Sequence, residues 1–538
     1  PETMFGTMNW PKFMSKDTSI SDSSEDITNG SSTGETEKGH TGSENEELKQ
    51  SIKPYHVFMI TMATGIGTGL LVGNGKSIAD AGVGGTLVGY FIIGSMLICC
   101  MQSVGELVVA FPSLAGGFNS YGKRFVDPSF GFTVAWLFCL QWQIVLPLEL
   151  VTASMTIKYW NDSLNPSIFV AIFYSLILGI SFFGARGYAD AEFLFNLSKV
   201  LMITGFIILG IIINFGAAGT SGYIGIKYLK TPGAFNTRNT FKSMCTTLVN
   251  ACFSCGGVEF LALSAAEQAR GNISKSIKRA CGQVLVRMCI FYILSIFVIG
   301  LLVPYNSPEL MGSSSEIIHS SPYVIAVASH GVKVVPHLIN VVILIAVVSV
   351  ANSAMYSSSR TLHALAEQGF APSYFAKLDS QGRPFRCLVV SGVFGLLSFI
   401  AEYKDQESVF VWLLSISGLS TIFTWTMICV AHLRFRAAMK DQNHSLEELG
   451  HRAWSGTYGS YYVIAINSLT LVVQFWVSLF PLDGDGRPDV VNFFQNYMAV
   501  PFALCLYVGH KIYTRSWQLI IPADKIDVDT SRDIYGVE

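Results

Sequence analysis

From Pro54 onward the chain is a succession of about twelve apolar runs, each near the ~20 residues that a helix needs to span a bilayer. They fall at 55–78, 86–110, 130–157, 166–184, 193–215, 243–265, 282–303, 335–359, 385–402, 407–432, 460–480 and 490–512, and the eighth continues helically through Arg360 to Gly369. This pattern predicts an all-α membrane protein with 12 transmembrane helices. Composition agrees, because 13% of residues are charged, against roughly 25% in an ordinary soluble domain. The net charge of −2 gives no basis for binding nucleic acid. The cysteines lie mainly in or beside apolar runs, as Cys99, Cys139, Cys252 and Cys429 do, where they act as small hydrophobes. Their spacing resembles neither a disulfide framework nor a zinc site.

Residues 1–52 are rich in Ser, Thr, Glu, Asp and Gly and too poor in apolar side chains to offset the entropy of ordering. They read as a disordered cytoplasmic tail with Lys38 and Lys49 as candidate modification sites. Residues 53–515 form the membrane domain and 516–538 a cytoplasmic C-terminal tail. The chain opens at Pro1 without an apolar leader or a cleavable signal, so it is expected to begin inside a longer precursor. Residues 304–335 read as a long external connection with a short helix near 323–330. An even number of spans puts both termini on one side. With the N-terminus inside, Lys123, Arg124, Lys275, Lys278, Arg279, Arg383, Arg386, Arg434 and Arg436 fall in cytoplasmic segments, as the positive-inside rule asks. The basic segment 216–242 dissents, being external in this arrangement.

Two of the apolar runs are interrupted by glycine: Thr64-Gly65-Ile66-Gly67-Thr68-Gly69 and Phe253-Ser254-Cys255-Gly256-Gly257-Val258-Glu259. Glycine runs weaken a helix and leave backbone groups unpaired, which in hydrocarbon persists only beside a cavity or a ligand. Matching breaks in two halves of a chain are the best sequence pointer to a transporter's binding site. Gly65 lies in span one and Gly256 in span six, an offset of five spans. That gives a five-plus-five inverted repeat with discontinuous helices 1 and 6, repeat one about 55–215 and repeat two about 243–432. Spans 11–12, about 460–512, are additions outside it.

The chemistry of the breaks differs. After the first, the half-helix presents free N–H groups and a positive dipole end, a receptor for a carboxylate to which the Thr68 hydroxyl adds a donor. Small-xxx-small packing of Gly65 and Gly69 is the structural alternative. At the second, carbonyls near Phe253 and Gly256 suit an ammonium, and the Phe253 ring suits a lid. Glu259 and Glu149 are carboxyls inside apolar runs, and intramembrane carboxylates default to functional hypotheses such as proton exchange. Lys199 sits ~9 Å inside the end of span five at 1.5 Å per residue. It either snorkels outward or places an ammonium beside the broken first helix, where a sodium ion sits in sodium-driven carriers of this architecture. Asn352 reads as a helix–helix hydrogen bond or a cavity-lining residue. Ser417 borders the site in the tenth span, and Trp142 and Tyr356 serve packing or gating.

Several segments resemble a known family: Gly65-Ile66-Gly67-Thr68-Gly69-Leu70, Gly105-Glu106, Pro147-Leu148-Glu149-Leu150, Gly256-Gly257-Val258-Glu259 and Ser349-Val350-Ala351-Asn352-Ser353. With Gly382-Arg383-Pro384 and His432-Leu433-Arg434-Phe435-Arg436, they look like fungal amino-acid permeases of the amino acid–polyamine–organocation superfamily. Within it the chain looks closest to the general and broad-range neutral members. The resemblance runs from about Ile52 to Ile526.

It implies a leucine-transporter-like fold at the plasma membrane and import of amino acids by proton symport, with a proton gradient and no cofactor. It also implies substrate contacts from Gly65, Ile66, Gly67, Thr68, Gly69, Phe253, Ser254, Cys255, Gly256 and Gly257. The substrate carboxylate is expected at Thr68 and Gly69, and its ammonium near the carbonyls of Gly65, Phe253 and Gly256. Lys199 matches the fifth-span lysine of proton-coupled members of the superfamily; with Glu259 and Glu149, read from their place in apolar runs, it completes the candidate proton-coupling groups. Membrane lipids and ubiquitin-ligase machinery at the N-terminal tail are the implied partners. Relatives often end in an aromatic-Cys tail, whereas this chain ends Tyr535-Gly536-Val537-Glu538, so that anchor is either trimmed or absent. The competing class is a permease-like sensor that binds without transport. A channel or a membrane enzyme is disfavoured, since neither a selectivity filter nor a catalytic triad is recognisable.

Overall fold

Proline and short polar side chains open the helices. In the computed structural model, Pro54, Pro128 and Pro166 each stand in the first helical turn, where a missing N–H costs nothing. The Asp127 carboxylate accepts from Phe130 N at 3.0 Å, and Asn165 accepts from Ser167 N at 2.8 Å. The structure describes residues 53–533 apart from 113, 115–116, 162, 238–239, 258, 266–272, 311–320, 404–405, 483 and 485. The expected tail over residues 1–52, with Lys38 and Lys49, and the chain end at Tyr535 to Glu538 lie outside the described residues.

The helices in chain order are α1 (Pro54–Ala63), α2 (Asn74–Ala110), α3 (Pro128–Ile157), α4 (Pro166–Ser181), α5 (Gly184–Asn214), α6 (Thr240–Cys255), α7 (Glu259–Ala265), α8 (Ile273–Val286) and α9 (Ser295–Leu302). Then follow α10 (Pro322–Ala328), α11 (Val335–Glu367), α12 (Phe385–Gly395), α13 (Gln406–Asp441), α14 (Gly456–Leu479), α15 (Val490–Tyr497) and α16 (Ala499–Thr514). A π-wound stretch, Arg287–Leu294, joins α8 to α9 in one rod. Among the described residues 7 helices are long and apolar enough to cross a membrane. The pair α15 and α16, bent by 64°, makes an eighth if counted as one span.

One of those seven, Gly69–Ala110, has 42 residues. A straight helix of that length would be about 63 Å long, twice the hydrocarbon thickness of ~30 Å. It is not straight. Gly82 has φ 73 and ψ 168, a conformation open in practice to glycine, and the Thr86 hydroxyl donates to Ser77 O at 3.0 Å. Nine residues of continuous helix would hold that pair about 13 Å apart along the axis. The chain therefore folds back at Gly82. Asn236 secures the corner through its N–H to Ala81 O at 3.2 Å and its side-chain amide to Ala79 O at 3.1 Å.

Burial ranks the helices. In the most apolar stretch of α3, 83% of the residues are buried, and in α11 78%, so these two form the centre. The corresponding share of α14 is 28%, and Leu469 and Val472 lie exposed on it. Ile168 on α4, Leu194 and Leu201 on α5 and Leu504 on α16 are exposed in the same way. Apolar side chains in such numbers on an outer face mark contact with lipid. Glu106 near the end of α2 is a structural tie: its carboxylate takes Arg436 at 2.6 Å, His432 at 3.1 Å and Ala453 N at 2.7 Å.

Candidate functional site

Helix α1 stops at Ala63, and regular winding resumes only at Gly69. The last carbonyls of a helix have no regular intrahelical partner, and side chains from other helices gather on the last turns of α1. Asn196 donates to Met59 O at 3.3 Å, Arg287 to Thr61 O at 3.1 Å, and the Lys199 ammonium to Ala63 O at 3.4 Å. Helix α6 stops at Cys255. The break passes through Gly257 with φ 105, and α7 begins at Glu259.

The breaks touch. A Cβ on Gly65 would stand 2.2 Å from Gly256 O, and one on Gly69 would stand 2.5 Å from the Ser254 hydroxyl. Only glycine allows this approach, which is the physical reason both segments are glycine-rich. Beside the contact lies a cavity walled by both breaks and by α3, α11 and α13. Four side chains in its wall carry buried polar atoms with no hydrogen-bond partner among the described residues: Glu149 Oε1, Gln141 Oε1, Trp142 Nε1 and Ser417 Oγ. Buried polar groups are almost always paired. Acceptors and donors left open around one hollow are arranged for a polar solute. Phe253 and Phe260 line the same wall and supply apolar surface.

Of the residues singled out from sequence, Gly65, Gly67, Thr68, Gly69, Trp142, Glu149, Phe253, Gly256, Gly257 and Ser417 line the cavity. The others lie behind it. Ile66 is fully buried in the core. Ser254 is turned away, with its hydroxyl on Asn250 O at 2.7 Å and on Tyr90 Oη at 2.8 Å. Cys255 presents its carbonyl to Arg287 at 2.7 Å. Glu259 folds back on its own break, taking Gly257 N at 3.2 Å and Trp425 Nε1 at 3.5 Å. Two of the carbonyls expected to meet an ammonium are engaged already, Phe253 O by Gly256 N at 3.2 Å and Gly256 O by Arg287 at 3.5 Å.

Lys199 does not snorkel. It is 0% exposed and donates to the Ser349 hydroxyl at 2.8 Å, which donates in turn to Glu192 Oε2 at 2.9 Å. Asn352 donates to the other oxygen of Glu192 at 3.2 Å. It also borders a second cavity of about 220 Å³ with Tyr188, Tyr356 and Arg360, where the two tyrosine rings stack at 3.9 Å. The Thr68 hydroxyl donates to the Glu149 carboxyl. Sequence reasoning missed Glu192 and Arg287. Arg287 carries the same signal that singled out Glu259, an ionisable group inside an apolar run. Glu192 sits near Arg186 and Asp190 at a helix start and reads as an end charge.

The chain matches the family model described as amino acid permease over residues 56–522. The chain belongs to the amino acid permease family. It is 52% identical to the general amino acid permease AGP1 of Saccharomyces cerevisiae over 502 residues, 93% of this chain and 79% of the relative. Its identity to the high-affinity glutamine permease of the same yeast is 51%, covering 92% of this chain and 74% of the relative. With the general amino-acid permease GAP1, also of Saccharomyces cerevisiae, it is 46%, over 90% and 80%. The permease is accordingly a multi-pass membrane transporter, not an enzyme. Both helix breaks and the whole wall of the cavity lie within the matched residues.

Proposed function

We propose that this permease imports amino acids, with broad preference for neutral ones, across the plasma membrane by proton symport. The observation that carries the reading is the cavity where two broken helices meet, with unpartnered polar atoms in its wall. A zwitterion needs donors at one end and acceptors at the other. The half-helix starting at Gly69 offers donors and a positive dipole end for the carboxylate. The open acceptors on Glu149 and Gln141 suit the ammonium, and Phe253, Phe260 and Val145 leave an apolar space for an uncharged side chain. Such a wall fits a neutral amino acid better than a charged one. The names of the relatives, two of them general amino acid permeases, support the same breadth.

The proposed architecture has about twelve spans in a five-plus-five inverted repeat with both termini in the cytoplasm. The fold-back at Gly82 supports the count, because it divides one 42-residue helix into the end of a first span and a second. Alternating access rocks one repeat against the other around the cavity.

Proton coupling runs through Lys199. Its ammonium holds the end of α1 through Ala63 O, while Ser349 links it to Glu192 and the second cavity. Losing the Lys199 proton releases the half-helix that closes the first cavity, so proton and substrate leave together. Glu149 shares Thr68 with the incoming carboxylate, and two anions on one hydroxyl repel, so a protonated Glu149 favours loading. One proton crossing 100 mV contributes about 2.3 kcal/mol, enough for roughly fifty-fold accumulation.

The test is uptake of one labelled neutral amino acid into proteoliposomes, with the other nineteen as competitors, with and without a pH gradient. Neutral amino acids should compete best, and an inward proton gradient should drive accumulation. Binding without accumulation in either condition would remove transport from the reading, and accumulation indifferent to pH would remove the proton.

A further inference from the structure

Among the described residues Arg287 is the largest charged side chain wholly enclosed by the protein, at 0% exposure, in the rod between α8 and α9. A buried charge without a counter-charge costs several kcal/mol. Among the described residues no carboxylate forms an ion pair with it. Its Nη1 donates to Thr61 O at 3.1 Å, in the last turn of α1, and its Nη2 donates to Cys255 O at 2.7 Å and Gly256 O at 3.5 Å, where α6 ends. The Tyr292 ring lies 5.6 Å from the guanidinium carbon, and Nε has no partner among the described residues.

The groups that meet the guanidinium directly are the two helix ends, and the Glu259 carboxyl lies within electrostatic range. Each helix C-terminus carries a partial charge of about −0.5, and two facing the same point make about one negative unit. The guanidinium supplies one positive unit between the two ends, and the Lys199 ammonium adds a second contact at Ala63 O on α1 alone. Carriers with broken helices commonly meet such converging C-terminal ends with a bound metal cation. The absent side chain of Gly65 makes the room, since a Cβ there would stand 3.0 Å from Nη2.

We propose that Arg287 is a built-in cation that clasps the C-terminal ends of both half-helices, taking the place of an ion drawn from solution. It belongs to neither half-helix and fixes the separation and tilt of the two ends on which the cavity depends. Arg287 is thus a positioning residue: it does not line the cavity. The inference rests on the reading that the two breaks bind the substrate.

The test uses the full chain in proteoliposomes with choline, sodium, potassium or guanidinium as the only added cation. Uptake and substrate affinity are measured for wild type, Arg287→Lys, Arg287→Gln and Arg287→Ala. Wild type should be indifferent to the cation. Arg287→Ala should lose about tenfold or more in affinity in choline and recover most of it in guanidinium, which refits the space between the two ends. A purely structural role would not produce that recovery. If Arg287→Ala does not fold, the other two variants decide: Lys near wild type with Gln about tenfold weaker supports the clasp, and equal behaviour of Lys and Gln overturns it. Sodium-dependent wild type, or Arg287→Ala equal to wild type in choline, overturns it as well. A wild type that binds no amino acid in any medium instead defeats the binding reading, a result distinct from the others.

Discussion

Single residues carry this site through what they leave open or hold shut. Lys199 ties the end of α1 to Ser349 and, beyond it, to Glu192. Substituting methionine keeps the volume and removes the exchangeable proton. Lys199→Met is expected to lower accumulation driven by a pH gradient by about tenfold, while affinity measured at equal pH changes much less. Uptake with and without the gradient, set beside equilibrium binding, checks it; proton coupling equal to wild type would exclude Lys199 as the carrier. Thr68→Val tests the wall of the cavity itself. It removes the hydroxyl that donates to Glu149 and that the proposed site offers to an incoming carboxylate, a hydrogen bond to a charged group worth about 1.5–3 kcal/mol. Affinity for all amino acids should fall alike, since all carry the carboxylate. A change in side-chain preference alone would show that Thr68 reads something else.

Elements show why part of the arrangement was legible in the sequence and part was not. The two breaks announced themselves because Gly65-Ile66-Gly67-Thr68-Gly69 and Gly256-Gly257 stand inside apolar runs that otherwise wind. The fold-back at Gly82 falls in the gap between the runs 55–78 and 86–110; what the runs did not show is how the corner is held, because Ala234 and Asn236 reach it from far along the chain. Local composition cannot report a distant partner. The same limit hid Glu192, whose burial comes from α11 packing over it rather than from its neighbours in sequence. It also made Ser254 and Cys255 look like lining residues, when helical rotation turns them away. Gly82→Ala puts these statements to a direct check. It adds a Cβ 2.6 Å from Ala234 O at a φ of +73, and strain of that kind costs about 1–3 kcal/mol. Purified protein should melt several degrees lower while the folded fraction binds normally, because Gly82 lies outside the cavity. An unchanged melting temperature would mean the corner is not held as described.

At the scale of the whole molecule, the C-terminal segment from Ile521 to Asp533 is strapped across the ends of α2 and α13 and the turn before α3. Ile526 and Val528 are 1% exposed. Arg124 donates to Asp527 O and Thr530 O, each at 2.7 Å, and Gln442 donates to Ile526 O at 2.7 Å. Arg532 meets Glu448 at 3.0 Å. Two carboxyls outside the spans make this strap sensitive to acid. At Glu448 the Ser445 N–H outweighs desolvation, and Arg532 adds to it, so the carboxyl titrates below its usual range. Desolvation raises Asp527, but the Thr530 bonds and Arg124 together overcome it, with the same net direction. A carboxyl with a lowered folded-state pKa stabilises the docked form above its unfolded value, ~3.9–4.3, and loses that effect as pH falls through the folded value. The strap should therefore stay docked from neutral pH down to about 4 and loosen below it. A spin label at Asp533→Cys, with the exposed Cys289 and Cys505 changed to serine, reports this directly. It should be immobile at neutral pH and mobile in acid, and Arg124→Gln should mobilise it at neutral pH, because that change removes both bonds to the strap carbonyls. An immobile label at every pH would assign the docking to Ile526 and Val528 alone, with no part for the charges.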